Sequence, residues 1–289
     1  MWLIPAFVSA IGVALQSVYL KKNTLHFNEY IVTWSILAIS AVIYLPLLFF
    51  SGIPKLNLLF WIAVFARLII DSTGLIFYVK GLKHTSISLA IPMVSFVPLL
   101  LIGTSFFINH LLPTPLGIVG ICVTIVGIYW LNFDHDTKHI LSPFFAIKNN
   151  RGMQFVLIFA LSQAFVTSLQ RLAIDNSNPY FYTAFFQLFW AVCFLPLAYF
   201  VNPKEFRSIF NTKSLKRLFP VGGLDAIQTF GQNLAFSLAI PVYVQSVQNT
   251  SILFAALFGW LFFKENIRKH LFPICVIVLG IILISFAQK

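Results

Sequence analysis

The sequence predicts an all-α membrane protein of ten transmembrane helices arranged as two inverted five-helix repeats. Three observations carry this. Of 289 residues, 59% are hydrophobic and 9% charged, and mean hydropathy is +0.90. A soluble domain carries about a quarter charged residues, so this chain cannot cover a water-exposed surface. The apolar residues also gather into ten runs of about the 20 residues needed to span a bilayer. Finally, the second five runs echo the first five in order.

The first five runs lie at 2–20, 30–50, 57–79, 85–107 and 112–131, and the second five at 153–172, 180–201, 218–240, 242–263 and 270–287. Turn and charge signals separate them: Lys21-Lys22-Asn23, Ser51-Gly52-Ile53-Pro54, Asn202-Pro203-Lys204 and Lys264-Glu265-Asn266. The longest gap, 132–152, is polar and divides the chain into a first repeat, 1–131, and a second, 153–289. The opening Met1-Trp2-Leu3-Ile4-Pro5 lacks the basic region and cleavage site of a signal peptide, so the first run is expected to be a retained helix.

The halves match at offsets that change only in loops. At an offset of 150, Tyr30 matches Tyr180 and Leu45-Pro46-Leu47 matches Leu195-Pro196-Leu197. At 156, Ser95 matches Ser251 and Phe106-Phe107 matches Phe262-Phe263. At 153, Ile121-Cys122-Val123 matches Ile274-Cys275-Val276 and Gly127 matches Gly280. Five is odd, so a duplicated five-helix unit must re-enter the membrane upside down. Inverted repeats are a route to alternating access about a midplane site, and this points to transport.

Fifteen of the 19 Lys and Arg residues fall in one set of connections: 21–29, 80–84, 132–152, 202–217 and 264–269. The other face has Lys55, Arg171 and Lys289. The positive-inside rule puts the first set in the cytoplasm and both termini outside. The net charge of +11 sits in these short gaps rather than in one patch, which argues against a nucleic-acid partner. Cys122, Cys193 and Cys275 lie in apolar runs without metal-ligand spacing and read as small buried apolar side chains. Asp134, His135, Asp136 and His139 surround Lys138 in the central gap and read as a solvated turn, not a metal site. No cofactor is implied.

Several segments together resemble the drug/metabolite transporter superfamily in its ten-helix form with two EamA-type repeats. The clearest is Thr250-Ser251-Ile252-Leu253, then Gly259-Trp260-Leu261-Phe262-Phe263-Lys264-Glu265, then the helix containing Gly280. Gly81-Leu82-Lys83-His84-Thr85-Ser86 followed by Phe96-Val97-Pro98 resembles the family's turn between the third and fourth helices. The likeness covers nearly the whole chain. It implies a multi-pass transporter of a small metabolite, expected in a bacterial inner membrane. The chain departs from the family where many relatives end the fourth helix with Glu, having Asn109 there, although Glu265 is kept. A Lys-Arg pair found in one subgroup is Gln248-Asn249 here, and relatives commonly have cytoplasmic termini.

Charged residues inside a span are costly and face a partner or a cavity. Arg67 and Asp71 are four apart in the third run and share a helix face. They read either as an internal ion pair or as a binding and coupling site. Asp225, in the eighth run, has no basic residue within a turn, and Gln228 and Gln232 follow it on one face, with Thr229 and Asn233 beside them. A carboxylate in low dielectric without a cation can take up and release a proton, as a proton-coupled carrier requires. Gln245, Gln248 and Asn249 line the ninth run, Gln163, Thr167 and Gln170 the sixth, and Gln16 with Tyr19 the first. Amides donate and accept without fixed charge, which suits a neutral or zwitterionic, amino-acid-like solute. Pro92 and Pro98 are expected to kink the fourth run, and Gly117, Gly120 and Gly127 to allow close helix packing.

Two other classes compete with a secondary carrier. A passive channel needs a continuous polar pore. An intramembrane aspartyl protease would use Asp71 and Asp225 as a dyad, but Gly222-Gly223-Leu224-Asp225 lacks the glycine immediately before the Asp, Asp71 follows Ile70, and no Pro-Ala-Leu run occurs. Nothing suggests a nucleotide-binding loop. The reading is therefore a non-enzyme whose partners are a small solute, protons and the bilayer.

Overall fold

Where water is scarce, an apolar run satisfies its own backbone by coiling, since a helix pairs each N–H with a C=O of the same segment. The computed structural model describes residues 1–24, 27–84, 93–131, 150–254 and 271–288, and among them it shows eleven helices. These are α1 (Leu3–Thr24), α2 (Glu29–Ser51), α3 (Leu58–His84), α4 (Val97–Asn109), α5 (Pro115–Leu131), α6 (Arg151–Asp175), α7 (Pro179–Val201), α8 (Pro203–Ser208), α9 (Thr212–Leu238), α10 (Pro241–Gln248) and α11 (Leu271–Ala287). Tyr30–Ser51, Arg151–Asp175 and Pro179–Val201 are each long and apolar enough to cross a membrane. Leu3–Ser17, Val97–Asn109, Pro115–Leu131 and Phe272–Ala287 are shorter apolar helices.

Local chemistry sets the ends. The α2 and α7 helices both run 23 residues, start after an asparagine and contain an interior proline, Pro46 and Pro196. Asn28 Oδ1 accepts from Tyr30 N (3.0 Å) and Asn178 Oδ1 from Phe181 N (2.7 Å). Each side chain thereby takes up an N–H that the first turn cannot satisfy.

Three sequence expectations need correction. Pro98 does not kink a helix; it stands in the first turn of α4, where its missing N–H costs nothing. Pro92 lies outside the described residues. The fourth and ninth runs are not continuous. Residues 93–94 are helical, Ser95 and Phe96 form a turn, and α4 follows; α10 ends at Gln248, Asn249 and Thr250 form a turn, and 251–254 are helical again. The three cysteines are exposed rather than buried. Apolar neighbours suggest burial, but the outward face of a lipid-immersed helix is apolar too.

The chain forms two compact units, each drawing helices from both halves of the sequence. The first comprises Met1–Asn57, Ile174–Leu238 and Ser251–Glu265. Here α1 runs against α9, and α2 against α7 and α9. The α1–α9 approach is close because Gly12 faces Gln228 and Gly231 faces Pro5; a Cβ on Gly231 would stand 2.7 Å from the Pro5 carbonyl. Ile31, Val32, Ala198, Phe206, Ile209 and Leu218 form a buried cluster that ties α8 and the start of α9 to α2 and α7.

The second unit comprises Leu58–Ala173, Ala239–Thr250 and Asn266–Lys289. Its α5 and α11 lie together along their lengths, α10 packs on α4 and α5, and α3 meets α6 through Tyr78 and Phe159, whose rings are 4.4 Å apart. Gly120 and Gly127 serve packing within the chain. A Cβ on Gly120 would meet the Gly280 carbonyl at 2.9 Å, and one on Gly127 would meet Ile277 N at 3.0 Å. Tyr243, fully buried on α10, lies over Gly117, and its hydroxyl accepts from Thr114 N (2.9 Å) at the start of α5.

Candidate functional site

Polar side chains on these helices gather around two carboxylates, one in each unit. In the first unit, α9 carries Asp225 into the space bounded by α1, α2 and α7. Gln16 Nε2 (α1) donates to Asp225 Oδ1 at 3.0 Å, and Gln228 Nε2, one turn along α9, donates to the same oxygen at 2.9 Å. Ser40 Oγ (α2) donates to Oδ2 at 2.8 Å, and Gln187 Nε2 (α7) to Oδ2 at 2.9 Å. One carboxylate thus accepts from side chains on four helices. Gln228 Nε2 also lies 2.7 Å from Gln16 Oε1, joining two of the donors directly.

All four donors are neutral. A carboxylate offers about four acceptor positions, and here each oxygen receives two hydrogen bonds. A proton arriving on either oxygen therefore displaces a donor or reverses one, and Ser40 can reverse by turning its single hydroxyl proton to Ile36 O or Gly222 O. Three of the donors are glutamines, which can turn the amide and present Oε1 instead. Gln228 Oε1 is buried with no hydrogen-bond partner among the described residues. The surroundings extend the network: Ser40 Oγ also lies 2.9 Å from Gly222 O, Tyr44 donates to Ala226 O, and Asn233 Nδ2 donates to Thr183 Oγ1 at 2.9 Å.

In the second unit, Asp71 (α3) accepts at Oδ1 from Gln163 Nε2 (α6) at 3.1 Å. Arg67, one turn before Asp71, is buried and within electrostatic reach of it. The two carboxylates have parallel settings. Each lies in the third run of its sequence half and is held by a glutamine from the first run of the other half. They differ in charge balance, since Asp71 has a cation one turn away on its own helix and Asp225 has four neutral donors.

The remaining amides are placed separately. Gln232 is half-buried one turn beyond Gln228 and is not one of the four donors to Asp225. On α10, Gln245 Nε2 lies 3.4 Å from Asn249 Oδ1, while the buried Asn249 Nδ2 has no hydrogen-bond partner among the described residues. Gln248 is half-buried beside them. Asn249 is also the residue that caps the end of α10. Asn109 closes α4, where Nδ2 donates to Ser168 O at 3.1 Å. Residues 134–139, weighed above as a metal site, and Glu265 lie outside the described residues.

Sequence reading finds Gln16, Asp225 and Gln228 but misses Ser40, Gln187 and Tyr44. Gln187 has a signal, being the single amide in the apolar α7. Ser40 has none, because a serine in an apolar run ordinarily bonds its own helix, as Ser35 does to Ile31 O at 2.7 Å, and Ser40 Oγ itself also lies 2.9 Å from Ile36 O.

A family model described as the EamA-like transporter family matches residues 1–133 and 150–286. A solved crystal structure is similar over 99% of this chain and 97% of its own, with a TM-score of 0.76 at 12% identity, a likeness of fold alone. No curated protein matches the chain.

Proposed function

Because the chain belongs to the EamA-like transporter family, within the drug/metabolite transporter superfamily, we propose that it is a proton-coupled secondary active transporter of a small neutral or zwitterionic solute, amino-acid-like in its polarity. Its ten runs cross the membrane as two inverted repeats, 1–131 and 153–289, joined by 132–152, and alternating access exposes the solute site to each side in turn. A bacterial inner membrane is the expected home. Family membership favours transport over the protease reading of Asp71 and Asp225.

The observation that carries the coupling is the Asp225 carboxylate held by four neutral donors from α1, α2, α7 and α9. Protonation replaces an acceptor with a donor, so one link must break, one amide must turn, or the Ser40 hydroxyl must swing its proton to Ile36 O or Gly222 O and accept instead. A single proton thereby alters how four helices are tied together. The turns that interrupt the fourth and ninth runs support the same reading, since carriers commonly bind solute where spanning helices are broken at corresponding places in two repeats. Gln245 and Asn249, at the second of these turns, offer both donors and acceptors to a solute.

The test is a thermal-unfolding screen of the purified protein against amino acids, nucleosides, sugars and amphipathic cations. A true ligand stabilises the fold by mass action, about 2.7 kcal/mol at a hundred times its Kd. The stabilising solute should then show saturable uptake and counterflow in proteoliposomes. Flux without saturation or counterflow would mean a channel.

The distribution of basic residues sets a second expectation. Both termini face away from the cytoplasm, so a C-terminal fluorescent reporter that matures only in the cytoplasm should remain dark. Bright cells would invert the topology and leave the fold unchanged.

A further inference from the structure

The hydroxyl of Ser40 is placed differently from the other three donors to Asp225. It is fully buried on α2, and its Oγ lies 2.8 Å from Asp225 Oδ2, 2.9 Å from Gly222 O and 2.9 Å from Ile36 O. A serine hydroxyl has one proton and two acceptor positions. Three oxygens therefore compete for one proton, and the ionised carboxylate takes it as the charged acceptor.

The two carbonyls become useful when Asp225 binds a proton. On Oδ2, the new O–H can donate to Ser40 Oγ while the serine proton swings about a single bond to Gly222 O or Ile36 O. No heavy atom has to move, and every proton keeps an acceptor. On Oδ1 the same event is costlier. Its donors are Gln16 and Gln228, which are also tied to each other at 2.7 Å, so turning either amide breaks a second hydrogen bond. Gln187 shares Oδ2 but would have to turn its whole amide and carry its N–H groups away.

Gly222 lies where α9 is weakest. Pro220 cannot donate a helix hydrogen bond, and Gly222 and Gly223 follow it. Gly222 also lets α2 approach, since a Cβ there would stand 2.6 Å from the Ile39 side chain. One turn beyond Ser40, Tyr44 donates to Ala226 O. With Asp225 ionised, α2 therefore holds α9 through the carboxylate and the Ala226 carbonyl. With Asp225 protonated, it can hold the Gly222 carbonyl as well.

We propose that Ser40 is a positioning residue that steers the proton to Oδ2 of Asp225, sets the pH at which it binds, and passes the event to the α9 backbone at Gly222. The inference rests on the proton-coupling reading of Asp225 and names the residue that tunes it. Ser40 supports the ionised carboxylate through a charge-assisted hydrogen bond and the protonated one through a neutral bond about half as strong. Removing the hydroxyl should therefore raise the midpoint of protonation by about one pH unit. The side chains that face Asp225 from α1, α7 and α9 are the neutral Gln16, Gln187 and Gln228, and the titratable Tyr44 of α2 is within electrostatic reach. All four stay constant across the variants.

The experiment is a pH titration of the purified full-length protein in detergent, without solute, read by the infrared carbonyl band of protonated carboxyl groups. Asp225→Asn removes the Asp225 component and so separates it from Asp71. Ser40→Ala should raise the midpoint of that component by about one unit, and so should Ser40→Cys, which is close in size but a weak donor. Ser40→Thr keeps the hydroxyl and should leave the midpoint in place. A packing defect alone would lower the melting temperature without moving the midpoint. A midpoint that is unchanged or lower in both Ser40→Ala and Ser40→Cys overturns the proposal, as does an equal rise in Ser40→Thr. If Ser40→Thr fails to fold, the alanine and cysteine variants still decide. If no component vanishes in Asp225→Asn at any pH, Asp225 does not titrate and the coupling reading falls with this one. A component that vanishes there yet ignores Ser40 sinks the Ser40 inference alone.

Discussion

Asp225→Asn is expected to abolish uphill, pH-driven uptake while sparing counterflow exchange. One coupled proton moving down a gradient of one pH unit releases about 1.4 kcal/mol and supports about tenfold accumulation. The substituted amide cannot titrate, so accumulation by this variant should fall to the passive level. The substitution keeps shape and polarity but removes two acceptor positions and adds two donors. Gln16, Gln187 and Gln228 can answer by turning their amides. The variant should therefore fold and bind solute, which its melting temperature and its shift with ligand will show. Asp225→Leu offers the glutamines nothing and should lower the melting temperature as well. Full pH-driven accumulation by Asp225→Asn would remove Asp225 from coupling and leave Asp71 as the next candidate.

How much of this is legible in the sequence depends on the range of the interaction. Helices are local and follow from apolar runs, but the caps at Asn28 and Asn178 are not among the sequence expectations, and Pro98 opens a helix rather than kinking one. The interruption at Asn249 is hidden, because Gln248-Asn249-Thr250-Ser251 reads as a polar stripe on a continuous helix. The carboxylates are visible because an ionised group in an apolar run is anomalous by itself. Which residues pair with them is not, because Gln16 and Ser40 reach Asp225 across sequence separations of 209 and 185 residues. Same-helix spacing therefore finds Gln228 and overlooks Ser40 and Gln187. It also groups Gln232 with Gln228, although Gln232 is not among the donors to the carboxylate. The cysteines mislead for a different reason: hydropathy locates a residue in a span but cannot say which face of the helix meets neighbouring helices.

The second large effect concerns Arg67 and Asp71, where the expected loss is of stability. Arg67 is buried, and Asp71 has Gln163 Nε2 on one oxygen and the guanidinium one turn away. Truncating either partner leaves the other charge poorly compensated, which in a buried pair costs about 3–5 kcal/mol. Arg67→Met and Asp71→Leu should each lower the melting temperature sharply. Combined, they remove both charges, and the double variant should recover most of the loss, since apolar replacement of a buried pair is commonly neutral or stabilising. The charge-swapped protein, Arg67→Asp with Asp71→Arg, should recover only part, because the two side chains differ in length and the longer one must fit where the carboxylate met Gln163, whose amide has to turn to offer Oε1. Uptake separates the two readings of the pair. If it only packs α3, the apolar double variant transports as well as it folds. If it binds solute or carries charge, the double variant is stable and inactive. Single substitutions that change neither melting temperature nor uptake would exclude both readings.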